Sequence, residues 1–197
     1  MKHLAAYIVF FCFTSLASAQ SSLVRCTPGR TDPHLFFLRD TSTGTALHSS
    51  GFETPQGCTT ALRSSSGALF CTPGNTDPGK FFIRDTNTGT AIGTNGFSTV
   101  EDCAFGLRRS DSGFVCTPGN TDAHLYFIRN ILNGAAVGQS GFVSVRDCSV
   151  GMRRIFTGFV CTPGNVDKDL FFVRDPATGT AVTATGFPIL LDCIRSI

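Results

Sequence analysis

The chain has 197 residues, with 16 Lys and Arg against 14 Asp and Glu, a net charge of +2 and only 15% charged residues. So even a balance offers no strong electrostatic invitation to a nucleic acid or an anionic membrane, and neither is expected as a partner. Nine Cys and 21 Gly point instead to cross-links and turns.

The first residues, MKHLAAYIVFFCFTSLASAQ, set Lys2 ahead of an apolar run and finish on Ala17-Ser18-Ala19, the small-x-small pattern that signal peptidase accepts. Residues 1–19 are therefore expected to be a signal peptide, and the protein to be secreted into an extracellular space. The apolar run from Leu4 to Leu16 is too short to span a bilayer, and no other segment comes close, so no membrane span is expected. Cleavage would remove Lys2, His3 and Cys12, leaving 15 basic against 14 acidic side chains, a net charge of +1. The eight remaining Cys are an even number in an oxidising compartment, which reads as a disulfide framework. No Asn-x-Ser/Thr sequon occurs, so N-glycosylation is not expected.

Beyond the leader the chain repeats. Cysteines fall at 26, 71, 116 and 161, and again at 58, 103, 148 and 193, each series advancing by 45 without an insertion. The units are 20–67, 68–112, 113–157 and 158–197. Cys-Thr-Pro-Gly opens each one, followed by Asp32, Asp77, Asp122 or Asp167. After these come Phe37, Phe82, Phe127 and Phe172, each two places before Arg39, Arg84, Arg129 or Arg174. Glycines 44, 89, 134 and 179 and the Gly-Phe pairs at 51, 96, 141 and 186 keep the same step. Constant length implies a fixed place for every position, and linkers as short as Arg63-Ser64-Ser65-Ser66-Gly67 imply that neighbouring units touch or at least lie closely spaced.

In the second unit, Leu69 to Thr72 reads as a short strand ended by Pro73-Gly74. Lys80 to Asp85 reads as a second strand, apolar on both faces in its middle. Thr86-Asn87-Thr88-Gly89 supplies a tight reversal, and Thr90 to Thr94 is expected to return as a third strand. A helix follows Gly96-Phe97-Ser98-Thr99. Thr54, Thr99 and Ser144 are placed as N-caps, Pro55 stands at a first helical position, and Asp102 and Asp147 lie where a carboxylate favours the helix N-terminus. Val100, Cys103 and Leu107 make one apolar face, Arg108 and Arg109 lie near the negative end, and Ala61, Gly106 and Gly151 permit a close approach. The fold class is α+β: four tandem βββα units, each an antiparallel meander with one helix across a face.

Forty-five residues bury little apolar area, and a domain of that size needs a staple. Joining strand to helix within a copy gives Cys26 with Cys58, Cys71 with Cys103, Cys116 with Cys148 and Cys161 with Cys193. Each such loop of about 33 residues is worth roughly 3 to 4 kcal/mol on the chain-entropy model. The rival pattern joins neighbours, Cys58 to Cys71, Cys103 to Cys116 and Cys148 to Cys161, with Cys26 and Cys193 closing a ring. The within-copy pattern is preferred, because the sequence beyond the leader starts just before Cys26 and stops just after Cys193, so that whole first-to-second cysteine runs are what it encloses.

The run FFIRDTNTGTAIGTNGFSTVEDCAFGLRR, with its aromatic-x-x-Arg, turn, short aliphatic strand, Gly-Phe corner and amphipathic helix, resembles the YegP-like repeat, a small domain of unknown function. The resemblance covers about 29 of every 45 residues in all four copies; the paired cysteines and export signal are additions to it. It implies the βββα topology and the pairing of two copies into one larger sheet, and it carries over no catalytic residue.

No constellation for catalysis is legible. His34 and His124, at equivalent positions of the first and third copies, and His48 are the histidines beyond the leader; none recurs in all four copies, and neither a G-x-S-x-G elbow nor an H-E-x-x-H helix occurs. The protein is not expected to be an enzyme or to carry a cofactor. Cysteine intervals of 32 and 13 do not suit a metal site, and Asn75-x-Asp77 and Asn120-x-Asp122 read as Asx-turns rather than calcium ligands, so no metal is expected. The series Arg39, Arg84, Arg129 and Arg174 is the candidate binding element, with a structural alternative in which these arginines pair with the adjacent acids Asp40, Asp85 and Asp175, or with Asp32 and its equivalents, and order the first loop. The function expected is that of a secreted, non-enzymatic binding module whose copies act together on an extracellular glycan, envelope polymer or protein. The alternatives are a structural matrix protein and a multi-headed inhibitor or defence protein.

Overall fold

The structure, a computed structural model, describes residues 24–197. The segment 1–19 expected to direct export lies outside the described residues. No helix among the described residues is long and apolar enough to cross a membrane.

Each copy begins with an antiparallel hairpin. The pairs are β1 (Val24–Pro28) with β2 (Phe36–Asp40), β3 (Leu69–Pro73) with β4 (Phe81–Asp85), β5 (Phe114–Pro118) with β6 (Tyr126–Asn130), and β7 (Val160–Pro163) with β8 (Phe171–Arg174). The register is the same throughout: Cys26 faces Leu38, Cys71 Ile83, Cys116 Ile128 and Cys161 Val173. Aromatic and β-branched residues favour these strands, and proline closes the first strand of each pair at its end, where the missing N–H breaks no interior ladder. The connecting loop is closed by backbone: Gly74 N–H donates to the Lys80 carbonyl at 2.8 Å, and Lys80 N–H to the Asp77 carbonyl at 3.1 Å. The aspartate carboxylates of the equivalent loops serve the turn, Asp32 accepting from His34 N–H, Asp122 from His124 N–H and Asp167 from Asp169 N–H.

The third strand expected at Thr90 to Thr94 does not form. One isolated bridge joins Arg84 to Ala91, Ile92 N–H donates to the Ile83 carbonyl at 2.9 Å, and a second bridge joins Phe81 to Phe97. The chain advances six residues from Ala91 to Phe97 while β4 retreats only three from Arg84 to Phe81, so three surplus residues arch away from the edge and no ladder propagates. The same pair of bridges recurs in all four copies. The unit is thus a hairpin, an edge segment bridged at two points and a helix. Among the described residues the larger shared sheet implied by the family resemblance is also absent, since the hairpins stand as four separate two-stranded sheets.

The helices are α1 (Pro55–Ser64), α2 (Val100–Gly106), α3 (Val145–Gly151) and α4 (Leu190–Arg195). Thr54, Thr99 and Ser144 cap the first three, each side-chain oxygen accepting at 3.1 Å from the N–H three residues on. Ile189 precedes α4 and supplies no side-chain cap. Short 3₁₀ turns at Ser110–Ser112 and Ile155–Thr157 lead from α2 and α3 into the next copy.

Disulfides join Cys26 to Cys58, Cys71 to Cys103, Cys116 to Cys148 and Cys161 to Cys193, with Cα atoms 5.9 to 6.1 Å apart. Each ties the first strand of a copy to its own helix. Around them runs one apolar core continuous through all four copies. Successive helices pack side by side, and each of the first three also packs on the opening strand of the following copy. A Cβ at Gly106 would run into the Cys116 carbonyl, and one at Gly151 would come within 2.5 Å of the Cys161 carbonyl. The small residue predicted to admit a close approach therefore admits the next copy. Aromatic pairs reinforce the joints: Phe52 stacks on Phe81 at 6.2 Å between ring centroids, Phe97 on Tyr126 at 6.1 Å and Phe142 on Phe171 at 6.4 Å. Units too small to bury a core alone gain one by stacking, as repeat architectures do.

Candidate functional site

The arginines of the second strands turn inward. Arg129 is buried and all three of its nitrogens are engaged: Nε donates to Thr117 Oγ1 at 2.9 Å, Nη1 to the Gly134 carbonyl at 2.8 Å and Nη2 to Asn120 Oδ1 at 3.1 Å. Arg174 repeats the set with Thr162, Gly179 and Asn165. Burial pulls both guanidinium groups below their ordinary pKa, yet each remains a cation held by neutral oxygens. The ion pairs considered with Asp40, Asp85 and Asp175 do not form. Those carboxylates accept from the turn that follows them, as when Asp40 takes the Ser42 hydroxyl, Thr43 N–H at 3.0 Å and Ser42 N–H at 2.7 Å; these bonds, the hydroxyl's first, hold the Asp40 carboxyl below its usual range.

The arginine clamp also links copies. Asn120 accepts from Thr94 N–H of the preceding copy at 3.2 Å, and Asn165 from Gln139 N–H at 3.1 Å. In the first two copies the clamp is reduced, Arg39 and Arg84 each donating only Nη1, to the carbonyls of Gly44 and Gly89. Each guanidinium of the first three copies lies near its own phenylalanine, 5.5 Å from Phe37, 5.5 Å from Phe82 and 5.9 Å from Phe127.

A different set of arginines faces outward on the helix side. Arg63, Arg108 and Arg153 occupy the same position in three consecutive copies, 45 residues apart, and all three are exposed. Arg108 and Arg146, from adjacent copies, converge on one ring, their guanidinium carbons 3.8 and 4.8 Å from the Phe105 centroid. Arg109 adopts a left-handed backbone (φ 68°) and donates Nη1 to the Arg153 carbonyl at 3.3 Å, fastening the end of α2 to the end of α3.

Two adjoining grooves run through this face. One, of about 420 Å³, lies between α1 and α2 and is lined by Thr60, Arg63, Glu101, Phe105 and Arg108 among others. The other, of about 410 Å³, lies between α2 and α3, and its charged lining residues are Arg108, Arg109, Arg146 and Arg153 with no acid among them. Across the described residues the one ion pair is Arg195 with Asp192 at 3.2 Å, so none of these groove arginines has a carboxylate at pairing distance. The arrangement can hold anions through several guanidinium forks.

The histidines are used locally. His34 and His124 contribute backbone N–H groups to their loops, and His48 Nδ1 accepts from Ser50 N–H at 3.2 Å. No group of three His, Cys, Asp or Glu side chains among the described residues could hold a metal ion. Sequence reasoning noted Arg108 and Arg109 only as helix-end cations and passed over Arg146 and Arg153. The 45-residue spacing of Arg63, Arg108 and Arg153 was the available signal, whereas the meeting of Arg108 and Arg146 over Phe105 depends on how copies stack. In comparisons with protein families, characterised proteins and solved structures, nothing matches this chain.

Proposed function

We propose that the protein is a secreted, non-enzymatic repeat protein that binds an extracellular polymer or protein through several equivalent sites at once, with the helix-side arginine face as its contact surface. The observation that carries this reading is the recurrence of exposed Arg63, Arg108 and Arg153 in successive packed copies, none with a carboxylate at pairing distance among the described residues. Fixed equivalent groups on one rigid stack engage a repeating ligand in the same orientation. The second and later contacts then form at high effective concentration, and weak single sites add to useful avidity. The four disulfides and the export signal read from the sequence fit an oxidising, extracellular setting.

The test presents the oxidised full chain to an array of neutral and charged glycans and secreted proteins. Retention that weakens progressively as one, two and three of Arg63, Arg108 and Arg153 are changed to Gln supports the proposal. No retention on any surface, or retention indifferent to all three changes, refutes it.

A further inference from the structure

We infer that the helix-side groove is a docking surface for an acidic polysaccharide, a linear sugar chain bearing sulfate or carboxylate groups; this rests on the multivalent-binding reading and names its ligand class. Arg108 and Arg146 come from different copies and are gathered on a single Phe105 ring at 3.8 and 4.8 Å. Like charges held so close repel one another, and the groove lining between α2 and α3 contains four arginines and no acid. An anion from outside removes that repulsion and meets donors already oriented by the ring and by the Arg109 link to the Arg153 carbonyl.

The repeat selects an extended ligand over a compact one. Arg63, Arg108 and Arg153 follow one another along the stack, one per copy, and the two grooves share Phe105 and Arg108. A chain with regularly spaced anionic groups meets these arginines in succession, whereas a single small anion meets only one cluster. Recognition here is by charge and geometry. Single-stranded nucleic acids are held on aromatic platforms that stack with bases, but Phe105, the aromatic lining residue of this groove, is already engaged by two guanidinium groups. Neutral sugars would leave the arginines as unmatched as they are without ligand.

The experiment measures affinity of the oxidised full chain for heparin, polygalacturonate, dextran and single-stranded DNA at low and high salt. Tight, salt-sensitive binding of heparin or polygalacturonate is expected, and the preference between them assigns sulfate or carboxylate as the recognised group. Each exposed ion pair contributes up to about a factor of five, so R108Q/R146Q/R153Q should weaken binding by about tenfold to a hundredfold. R25Q/R30Q/K168Q removes the same net charge away from the groove and should leave affinity unchanged. Phe105→Leu, which changes no charge, should lower affinity by releasing the two arginines, and Arg108→Lys should recover only part of the loss seen in Arg108→Gln. Thermal unfolding of each variant checks that the fold is intact. Equal affinity for dextran, equal or tighter binding of the DNA, or equal losses in the two triple variants overturns the inference. Multivalent binding of neutral polymers alone sinks this inference and leaves the proposed function standing; no binding of any polymer sinks both.

Discussion

At the scale of single residues, His48 marks a joint unlike the others. It stands where the second and third copies have Gly93 and Gly138, at φ +90° and +85°, whose Cβ positions would lie 3.2 Å from Thr117 Oγ1 and 3.3 Å from Arg174 Nε. An imidazole in that place is accompanied by three buried polar atoms without partners: Arg84 Nε, Thr72 Oγ1 and His48 Nε2. Burial first, and then the Arg84 charge, holds the imidazole below its ordinary pKa of 6.5. The unfolded chain therefore binds the proton more readily. Stability is level above about pH 6.5 and falls as pH drops below it, because the neutral form is the one the fold accepts. His48→Gly should let Arg84 close on Thr72 and Asn75 as Arg129 closes on Thr117 and Asn120, stabilising by about 1 kcal/mol and flattening this pH response. Urea titrations of both proteins at about pH 7 and about pH 5 check it; parallel losses on acidification would count against the assignment. For the clamp itself, Arg129→Lys forfeits two of three bonds from a buried cation and should cost about 1 to 3 kcal/mol, while Arg39→Lys, with one bond at stake, should cost under about 1 kcal/mol.

At the scale of elements, the joint between a helix and the next copy sets what the sequence can vary. Alanine is the better helix former by about 1 kcal/mol, so an isolated α2 would gain from Gly106→Ala. In the stack the new methyl meets the Cys116 carbonyl, part of a strand that cannot step aside, together with the Phe97 ring at 2.8 Å. Net destabilisation of about 1 to 3 kcal/mol is expected, the sign opposing helix propensity. Phe97→Ala empties a site that is 2% exposed and removes the stack on Tyr126, a loss of about 3 to 5 kcal/mol. Both are measured by chemical unfolding, and a stabilised Gly106→Ala protein would show that the joint is looser than its geometry. The hairpins, the helix caps at Thr54, Thr99 and Ser144 and the Asx-turn at Asp122 were legible from residue type and spacing, because each is decided within a few residues along the chain, whereas Asn75 and Asn120, read as Asx-turn residues, serve Ser49 Oγ and the Arg129 clamp instead. The third strand was misread because Thr90 to Thr94 has strand composition, while its fate depends on Phe97 returning to Phe81 and forcing the arch between.

At the scale of the whole molecule, four bridges and one continuous core divide the task of holding small units together. Replacing Cys71 and Cys103 by Ala releases a loop of 32 residues' separation and should cost about 3 to 4 kcal/mol, yet the second copy stays clamped between neighbours on both sides. Replacing Cys161 and Cys193 should bring local loss of order, since the described contacts of α4 with another helix are with α3 alone. Hydrogen exchange resolves the two cases: uniform loss of protection in the first, loss concentrated in 158–197 in the second. Repeat length, hairpins, capped helices and a disulfide framework were written in the sequence, because periodicity, turn chemistry and cysteine spacing act locally or recur at a fixed interval. Which arginines meet across copies was decided only by the stacking. Two side chains 38 positions apart, Arg108 and Arg146, share one aromatic ring because adjacent helices pack side by side, and no property of either residue alone encodes that meeting.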